Sequence, residues 1–526
     1  MIVSGNSTPL CDRCHRLLHH ESGVSINHPS IELIQSLVYE SPHKYNHIYH
    51  VIDAADFPMS LIPRIYRYFH LAPQRSLNRR SRTGRYYRGR KTEISFIITR
   101  SDLFAPLKAQ VDSLMPYLVS VLRDALGLSG ENVRLGNVRC VSAKRSWWTK
   151  ELKEDIWSRG GGSWMVGKVN VGKSQLFESV FPKGRGGTTK TDGILIPEFQ
   201  HCCEHGAWEN ESMESNHSQD CRESNATKNY GGAIEYKKEL LDSSLLLPPL
   251  PPETNYPDMP LVSALPGTTA SPIRLPFGNG KGELVDLPGL SRSDLELHVQ
   301  HRYRSSLLMR SRVLPKQQVI KPGQSLLLGG FIRITPFTPG VIILAYAFTP
   351  ILSHLTATEK AISIQTQKRE SGTQNISNPG VGAKIGPAGR FPLKWDVTIK
   401  RTGPITNRSA AGIKVDRLPY RVLSTDILIE GCGWIELVAQ VRKREFESRC
   451  PTDGVVDNNP EGECLSSEAK WPEVEVFSPE GKFIGSRRPL GAWAMGEKKN
   501  PAGSRGRPRR SMKGMKKKMK ALQKMN

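Results

Sequence analysis

The sequence predicts an α/β protein: a parallel sheet layered between helices, followed by a β-rich region and a basic tail. Three observations carry this. Short β-branched runs alternate with helix-period segments through residues 31–142, the signature of a parallel sheet covered by helices. A glycine-rich GxxxxGK[ST] loop follows at Gly167–Ser174. Residues 300–350 then turn β-rich, as in SLLLGGFIRITPF. At 526 residues the chain has room for two to four domains.

The elements follow in order. Residues 1–30 are rich in Cys and His and hold a CxxC at Cys11 and Cys14. Ile31–Leu37 reads as helix, His47–Asp53 as strand and Ser60–Phe69 as helix again. Ile94–Thr99 is a β-branched run of the kind found in buried strands. Leu107, Val111, Leu114, Leu118, Val121 and Leu122 recur at helical spacing, and Val138–Ser142 reads as strand. Trp164–Val166, behind a run of glycines at 160–162, is a short strand leading into the glycine-rich loop. Residues 190–260 are polar and low in complexity, with a polyproline stretch at Leu245–Pro252, and are expected to be a disordered insertion. A second insert is expected at about 75–91. Residues 366–415 look loosely folded, Ile427–Ile429 and Trp434–Val441 look like strands, and order is expected to end at Gly485. Gly340–Leu355 is apolar but short and broken by Pro350, so it reads as core rather than a membrane span.

The formal net charge is +24 and the mean hydropathy is −0.41. A charge of this sign and size implies a polyanionic partner, either nucleic acid or an anionic membrane surface. The charge is concentrated. Residues 498–526 hold a dozen Lys and Arg and no acid, and Arg79, Arg80, Arg82, Arg85, Arg88 and Arg90 crowd around Tyr86 and Tyr87. Lys516–Lys518 with Met512, Met515 and Met519 would suit an interfacial helix. Nine cysteines, an odd number, argue against a disulfide framework and for a reducing compartment. Met1–Leu10 has the marks of neither a secretory signal nor an organelle presequence. The alternatives are a cytosolic protein or a chain whose true start lies upstream.

Five motifs carry chemistry. In Gly167-Lys-Val-Asn-Val-Gly-Lys-Ser174 the glycines let main-chain N–H groups wrap phosphates, with Gly172 at the helix entry. Lys173 is expected to reach the β- and γ-phosphates and Ser174 to ligate Mg²⁺. Asp286-Leu-Pro-Gly289 ends a strand, so Asp286 can hold the Mg²⁺ water shell and Gly289 can offer its N–H to a γ-phosphate. In Pro266-Gly-Thr-Thr269 a threonine hydroxyl can ligate Mg²⁺ and sense the γ-phosphate. Thr99-Arg100-Ser-Asp102 follows the ISFII strand, where the Asp102 carboxylate can accept from guanine N1 and N2 and so select GTP over ATP. Ser142-Ala143-Lys144 follows another strand, where a backbone N–H can meet guanine O6.

Taken in the order TRSD, SAK, GKVNVGKS, PGTT, DLPG, the chain resembles the circularly permuted GTPases of the YlqF/YawG class. The N-terminal CDRCHRLLHH and the later LLLGGFIRI look like the YqeH branch. Ser41–Phe57 looks more specifically like its fungal mitochondrial members, the genetic interactors of prohibitins. The resemblance covers about residues 10–340, less the inserts. It implies a three-layer P-loop GTPase domain and a mitochondrial, matrix protein acting in small ribosomal subunit (rRNA) assembly, with a link to inner-membrane lipid as the alternative. It also implies Thr269 rather than Thr268 as the switch residue. Asn170, followed by Val171, would hold K⁺, and Cys11 and Cys14 would be half of a zinc site. Thr99 and Arg100 stand where the usual motif has Asn and Lys, and Leu290 where many GTPases place a water-orienting Gln. Thr cannot reach as an amide would, so weakened nucleotide affinity is expected. Slow hydrolysis, raised by K⁺ and a partner, follows from Leu290. A nucleotide-binding scaffold without turnover is the third reading. The division expected is a zinc-module remnant over 1–30, the G domain over 31–299, an RNA-binding domain over 300–485 and a disordered basic tail over 486–526, in a monomer.

Overall fold

The computed structural model describes residues 28–69, 89–127, 135–184, 246–260, 262, 269–292, 294–370, 372–403, 413–443 and 471–495. It also describes His15 and the backbone of three two-residue strands. The first half runs α1 (Ile31–Tyr39), β1 (Tyr45–Asp53), α2 (Ile65–Tyr68), β2 (Gln74–Arg75), β3 (Tyr86–Tyr87), β4 (Arg90–Thr99) and α3 (Lys108–Ala125). It continues through β5 (Val133–Arg134), β6 (Asn137–Cys140), α4 (Thr149–Arg159), β7 (Gly161–Val166), α5 (Lys173–Val180), β8 (Ile273–Phe277) and β9 (Gly282–Asp286).

A single sheet gathers most of these strands. β6, β4, β1, β7 and β9 lie side by side in that order and run parallel. β8 closes the far edge antiparallel to β9, and β3 folds back on β4. The side-chain period of two divides each strand between two cores. Ile48 and Ile52 of β1 point with Phe96, Trp164 and Val166 toward α1 and α3. Tyr49 and Val51 point with Ile97 and Met165 toward α4 and α5. The helical stripe expected on α3 is the buried one: Val111, Leu114, Leu118, Val121 and Leu122. Leu107 stands outside it, 56% exposed.

The second half runs β10 (Gln317–Ile320), β11 (Gln324–Leu328), β12 (Ile332–Pro336), β13 (Ile343–Phe348), β14 (Ser353–Ala357), α6 (Thr358–Gln365) and β15 (Ile385–Pro392). Then come β16 (Trp395–Asp396), α7 (Thr398–Arg401), β17 (Tyr420–Ile429), β18 (Gly433–Arg442), β19 (Glu473–Pro479) and β20 (Ile484–Arg487). Two antiparallel sheets result, β10-β13-β18-β17-β16 with β20 beside β17, and β14-β11-β12-β19-β15. They share a core in which Leu326, Ile334 and Val476 of one meet Ile343, Ile427 and Leu437 of the other. The outer face of the first of these sheets packs on the parallel-sheet half. Trp434 stacks on Phe348 at 4.9 Å between ring centres and meets Phe104 at 6.4 Å. Arg487 donates to the Phe57 carbonyl at 2.6 Å across the same boundary.

Several expectations are corrected here. Ser60–Phe69 is mostly turn, because Pro63 and the left-handed Arg64 (φ 56°) confine helix to Ile65–Tyr68. The strand before the glycine-rich loop is six residues long and includes Gly161 and Gly162. Those glycines sit against the Tyr45 carbonyl and the Asn46 side chain, where a Cβ would collide. The end of the polar insertion is ordered. Glu40 accepts from the Leu246 and Leu247 N–H groups, and Arg274 donates to the Pro248 carbonyl at 2.8 Å. Residues 246–260 thereby lie against edge strand β8 and its turn, which covering protects from stray pairing. Residues 366–415 are not loose throughout, since β15 pairs with β19 along its length. Order also runs past Gly485 to Met495, because buried Asp426 accepts from Arg487 and from the Leu490 N–H. Residues 79–85 and 498–526, with most of the basic clusters, lie outside the described residues.

One buried titratable group on β1 gives a test of the sheet. His50 is fully buried and accepts the Ile62 N–H on Nε2 at 3.0 Å, which requires a neutral ring. Burial pushes its pKa down from 6.5 to about 3. A depressed histidine contributes stability that is present above 6.5 and is lost as pH falls toward 3. Unfolding in urea at pH 7 and pH 5 should differ by about 2 kcal/mol through this group. In His50→Gln that part of the difference should vanish; an unchanged difference would rule the group out as its source.

Candidate functional site

TRSD, SAK, the glycine-rich loop and DLPG leave the carboxyl ends of β4, β6, β7 and β9, which is where open α/β sheets bind ligands, and Thr269 precedes the antiparallel β8 at the same end; residues 266–268 lie outside the described residues. β7 lies between β1 and β9, so the Gly167–Gly172 loop leaves the sheet centre and enters α5 at Lys173. Gly167 has no room for a side chain, since a Cβ there would sit 2.6 Å from the Val51 carbonyl. Gly172 holds a left-handed φ of 85° where the loop turns into the helix. The α5 N-terminus therefore faces the loop with free N–H groups.

At the α5 end of the cleft three side chains from three elements converge. Ser174 Oγ donates to Asp286 Oδ2 at 2.8 Å, Thr269 Oγ1 donates to the same oxygen at 3.1 Å, and the two hydroxyls are 3.0 Å apart. Asp286 is fully buried, burial pushes its pKa up, and the Lys173 charge opposes this. Its other oxygen, Oδ1, is buried with no hydrogen-bond partner among the described residues. Two hydroxyls and a carboxylate with a spare oxygen are hard donors of the kind magnesium takes, and they fit that ion. Among the described residues no cluster of three His, Cys, Asp or Glu could hold a metal. Cys11 and Cys14 lie outside the described residues. Lys173 Nζ donates to the Gly167 and Lys168 carbonyls at 3.2 and 2.8 Å. Burial lowers its pKa from 10.5 to about 8, with Asp286 pulling the other way. Gly289 is tight as well: a Cβ there would lie 3.0 Å from Lys173 Nζ.

At the other end Ser142 Oγ donates to Asp102 Oδ1 at 2.6 Å, fixing the carboxylate at the mouth of the cleft. Thr99 touches the glycine-rich loop through its hydroxyl. Its hydroxyl lies 2.5 Å from the Val171 carbonyl and 3.1 Å from that of Ile52. A cleft of about 500 Å³ joins the two ends, lined by Thr99, Arg100, Asp102, Ser142, Ala143, Lys144, Asn170, Gly172, Lys173, Ser174, Thr269 and Gly289. That volume is within the range of small-ligand sites. Gly167, Val171 and Asp286 lie just behind this wall, buried or bonded as described.

Sequence reasoning missed three parts of the site. His28 lines the cleft, with Nδ1 3.2 Å from the Gly289 carbonyl. Leu308 and Arg310 line it from the segment between the two halves. Behind the loop, Asp53 and Asp56 share Arg292 at 3.0 and 2.5 Å, and Arg100 also pairs with Asp53. The Arg100 head thus points to Asp53, and only its remaining atoms face the cleft. Asp53 carried a legible signal, an acid at the end of a buried strand like Asp286; Arg292 and Leu308 carried none.

No family model matches the chain. Two curated relatives do, both named "Genetic interactor of prohibitins 3, mitochondrial". The one from Clavispora lusitaniae is 26% identical over 170 residues, 32% of this chain and 23% of the relative. The one from Meyerozyma guilliermondii is 32% identical over 171 residues, 32% of this chain and 24% of the relative. The matched part therefore spans about a quarter of those proteins. Both names agree with the mitochondrial location expected from the sequence. No helix among the described residues is long and apolar enough to cross a membrane.

Proposed function

We propose that this chain is a mitochondrial guanine-nucleotide-binding protein, a circularly permuted GTPase, that acts as a switch in small ribosomal subunit assembly. The observation that supports it most is the meeting of Ser174, Thr269 and Asp286 on one buried oxygen, next to Lys173 and opposite Asp102. These side chains come from segments 95 and 112 residues apart along the chain. Read from β7 onward, the strand order also suits the permutation, with β7, β8 and β9 on one side and β1, β4 and β6 on the other.

In this reading Asp102 accepts the guanine donors and Ser142 holds it in place. Thr99 ties the base-reading turn to the phosphate loop. Ser174, Thr269 and Asp286 would hold magnesium, which when bound neutralises charge on the β- and γ-phosphates. Lys173 and the N–H groups at the start of α5 bind the phosphate oxygens. Asn170 lines the cleft, where it can serve K⁺, and Leu290 has no group to orient water, so turnover is slow and partner-dependent.

The test is binding of fluorescent GTP, GDP and ATP analogues in K⁺ and in Na⁺, with Asp102→Ala alongside. The expected outcome is guanine-selective binding in the unaltered protein, with the selectivity falling at least about a hundredfold in the variant. Equal binding of GTP and ATP by the unaltered protein would sink the reading.

The relatives' printed names favour a second reading, a mitochondrial role linked to prohibitins, which we extend to inner-membrane lipid on the strength of the basic stretch. The basic stretch at 498–526 suits anionic lipid as well as RNA. Flotation with cardiolipin vesicles separates the two. Residues 496–526 are the segment to delete, because Leu490 and Ala492 belong to the folded core.

A further inference from the structure

The segment that joins the two halves passes along the base end of the cleft before it enters β10. Met309 is fully buried in the main core and pins this segment. On either side of it, half-buried Leu308 and exposed Arg310 line the cleft. Two of these three residues, Met309 and Arg310, are bonded to the two base-reading motifs. Arg100 Nη1 donates to the Met309 carbonyl at 3.3 Å, and Lys144 Nζ donates to the Arg310 carbonyl at 3.1 Å. The cations that flank Asp102 are thus tethered to the linker rather than left free in solvent.

We propose that Leu308 and Arg310 form the missing wall of the base site and contact the purine and ribose of a bound guanine nucleotide. The inference rests on the guanine-nucleotide reading above. The two motifs that hold the linker, through Arg100 and Lys144, are those that carry Asp102 and Ser142; Thr269, Asp286 and Gly289 belong to the opposite, phosphate end. GDP and GTP are identical at their base ends. The linker therefore senses occupancy of the site, whichever nucleotide fills it, and passes that to the β-rich half through its continuation into β10. A γ-phosphate signal has a different route, through Gly289 and the Arg292 network.

The experiment is calorimetric titration of the full chain with GDP and with a non-hydrolysable GTP analogue, for the unaltered protein, Leu308→Ala and Arg310→Ala. Hydrogen exchange across residues 305–314 is measured alongside. Each variant should weaken both nucleotides by the same factor, about three- to tenfold for a partly buried contact. Exchange across 305–314 should slow on adding either nucleotide. Arg310 is exposed, so its variant reports binding without risk to the fold. Unchanged affinities with unchanged exchange, in a protein that binds guanine nucleotides selectively, would overturn the linker assignment alone. Weakening of the triphosphate but not of GDP would also overturn it, by placing the linker at the phosphate end. Absence of guanine-selective binding in the unaltered protein would overturn the reading beneath it.

Discussion

Lys173→Met should lose triphosphate binding by roughly ten- to a hundredfold and, in the same experiment, make the nucleotide-free protein more stable. The two effects have one cause. Lys173 is buried to 7% exposure, and its ammonium is held by two loop carbonyls and the Asp286 charge. Those partners do not offset its lost hydration, so burial lowers its pKa from 10.5 to about 8. A lysine with a depressed folded-state pKa destabilises the fold at neutral pH, by up to about 3 kcal/mol here. A buried cation of this kind suits a site that meets an anion, and phosphate beside the α5 N-terminus is the one proposed. The sign of the pH dependence follows. Binding needs the charged form, so affinity for the triphosphate should fall about tenfold between pH 7 and pH 9. Lys173→Met should show no such slope. Thermal melts with and without GTP, at both pH values, check all of this. A variant that binds as tightly as the unaltered chain would remove Lys173 from the site.

The parts legible in the sequence were those fixed by local rules. β1 and β4 could be read from buried β-branched runs, Ser174 from the glycine-rich loop and Asp286 from a strand end, whereas Thr269 was singled out from Thr268 only through the family resemblance. What stayed hidden depends on distant partners. The proline-rich Leu246–Pro252 stretch has the composition of a disordered segment, and only the unmet needs of Arg274 and the β8 edge give it a place. Residues 366–415 carry a weak strand signal because β15 is an edge strand with three glycines and prolines in its first five residues. The hydrogen bond from Thr99 to the loop carbonyl of Val171 links residues 72 apart, which no local spacing reveals. Arg292 carries no sequence signal, because its carboxylate partners Asp53 and Asp56 lie 239 and 236 residues away.

Arg292→Ala should be the most destabilising single change near the site, costing about 3 kcal/mol or more. Its side chain is 6% exposed, and the carboxylates it bridges, Asp53 and Asp56, are fully buried. Removing it leaves Asp53 with Arg100, but among the described residues the Asp56 carboxylate keeps only the Gly431 N–H at 2.9 Å, and one of its oxygens has no partner there. A buried carboxylate stripped of its cation must either stay charged at great cost or take up a proton. Asp56→Asn added to Arg292→Ala should therefore recover part of the loss, and a double-mutant cycle on urea midpoints measures how much. The consequence reaches beyond stability. Arg292 lies three residues past Gly289, also approaches the Val169 carbonyl of the loop at 3.4 Å, and shares Asp56 with Gly431 in the turn between β17 and β18. Lys168 of the loop meets Glu430 of that same turn at 3.6 Å. If γ-phosphate contacts at Gly289 move the segment that follows, this network is what must rearrange for the β-rich half to respond. Arg292→Lys, which keeps the charge but not the two-pronged geometry, should hold more stability than the alanine variant yet still blunt any difference in RNA binding between GTP and GDP states. Equal RNA affinity in the two states for the unaltered protein would show that the network is a structural clamp between the halves and carries no signal.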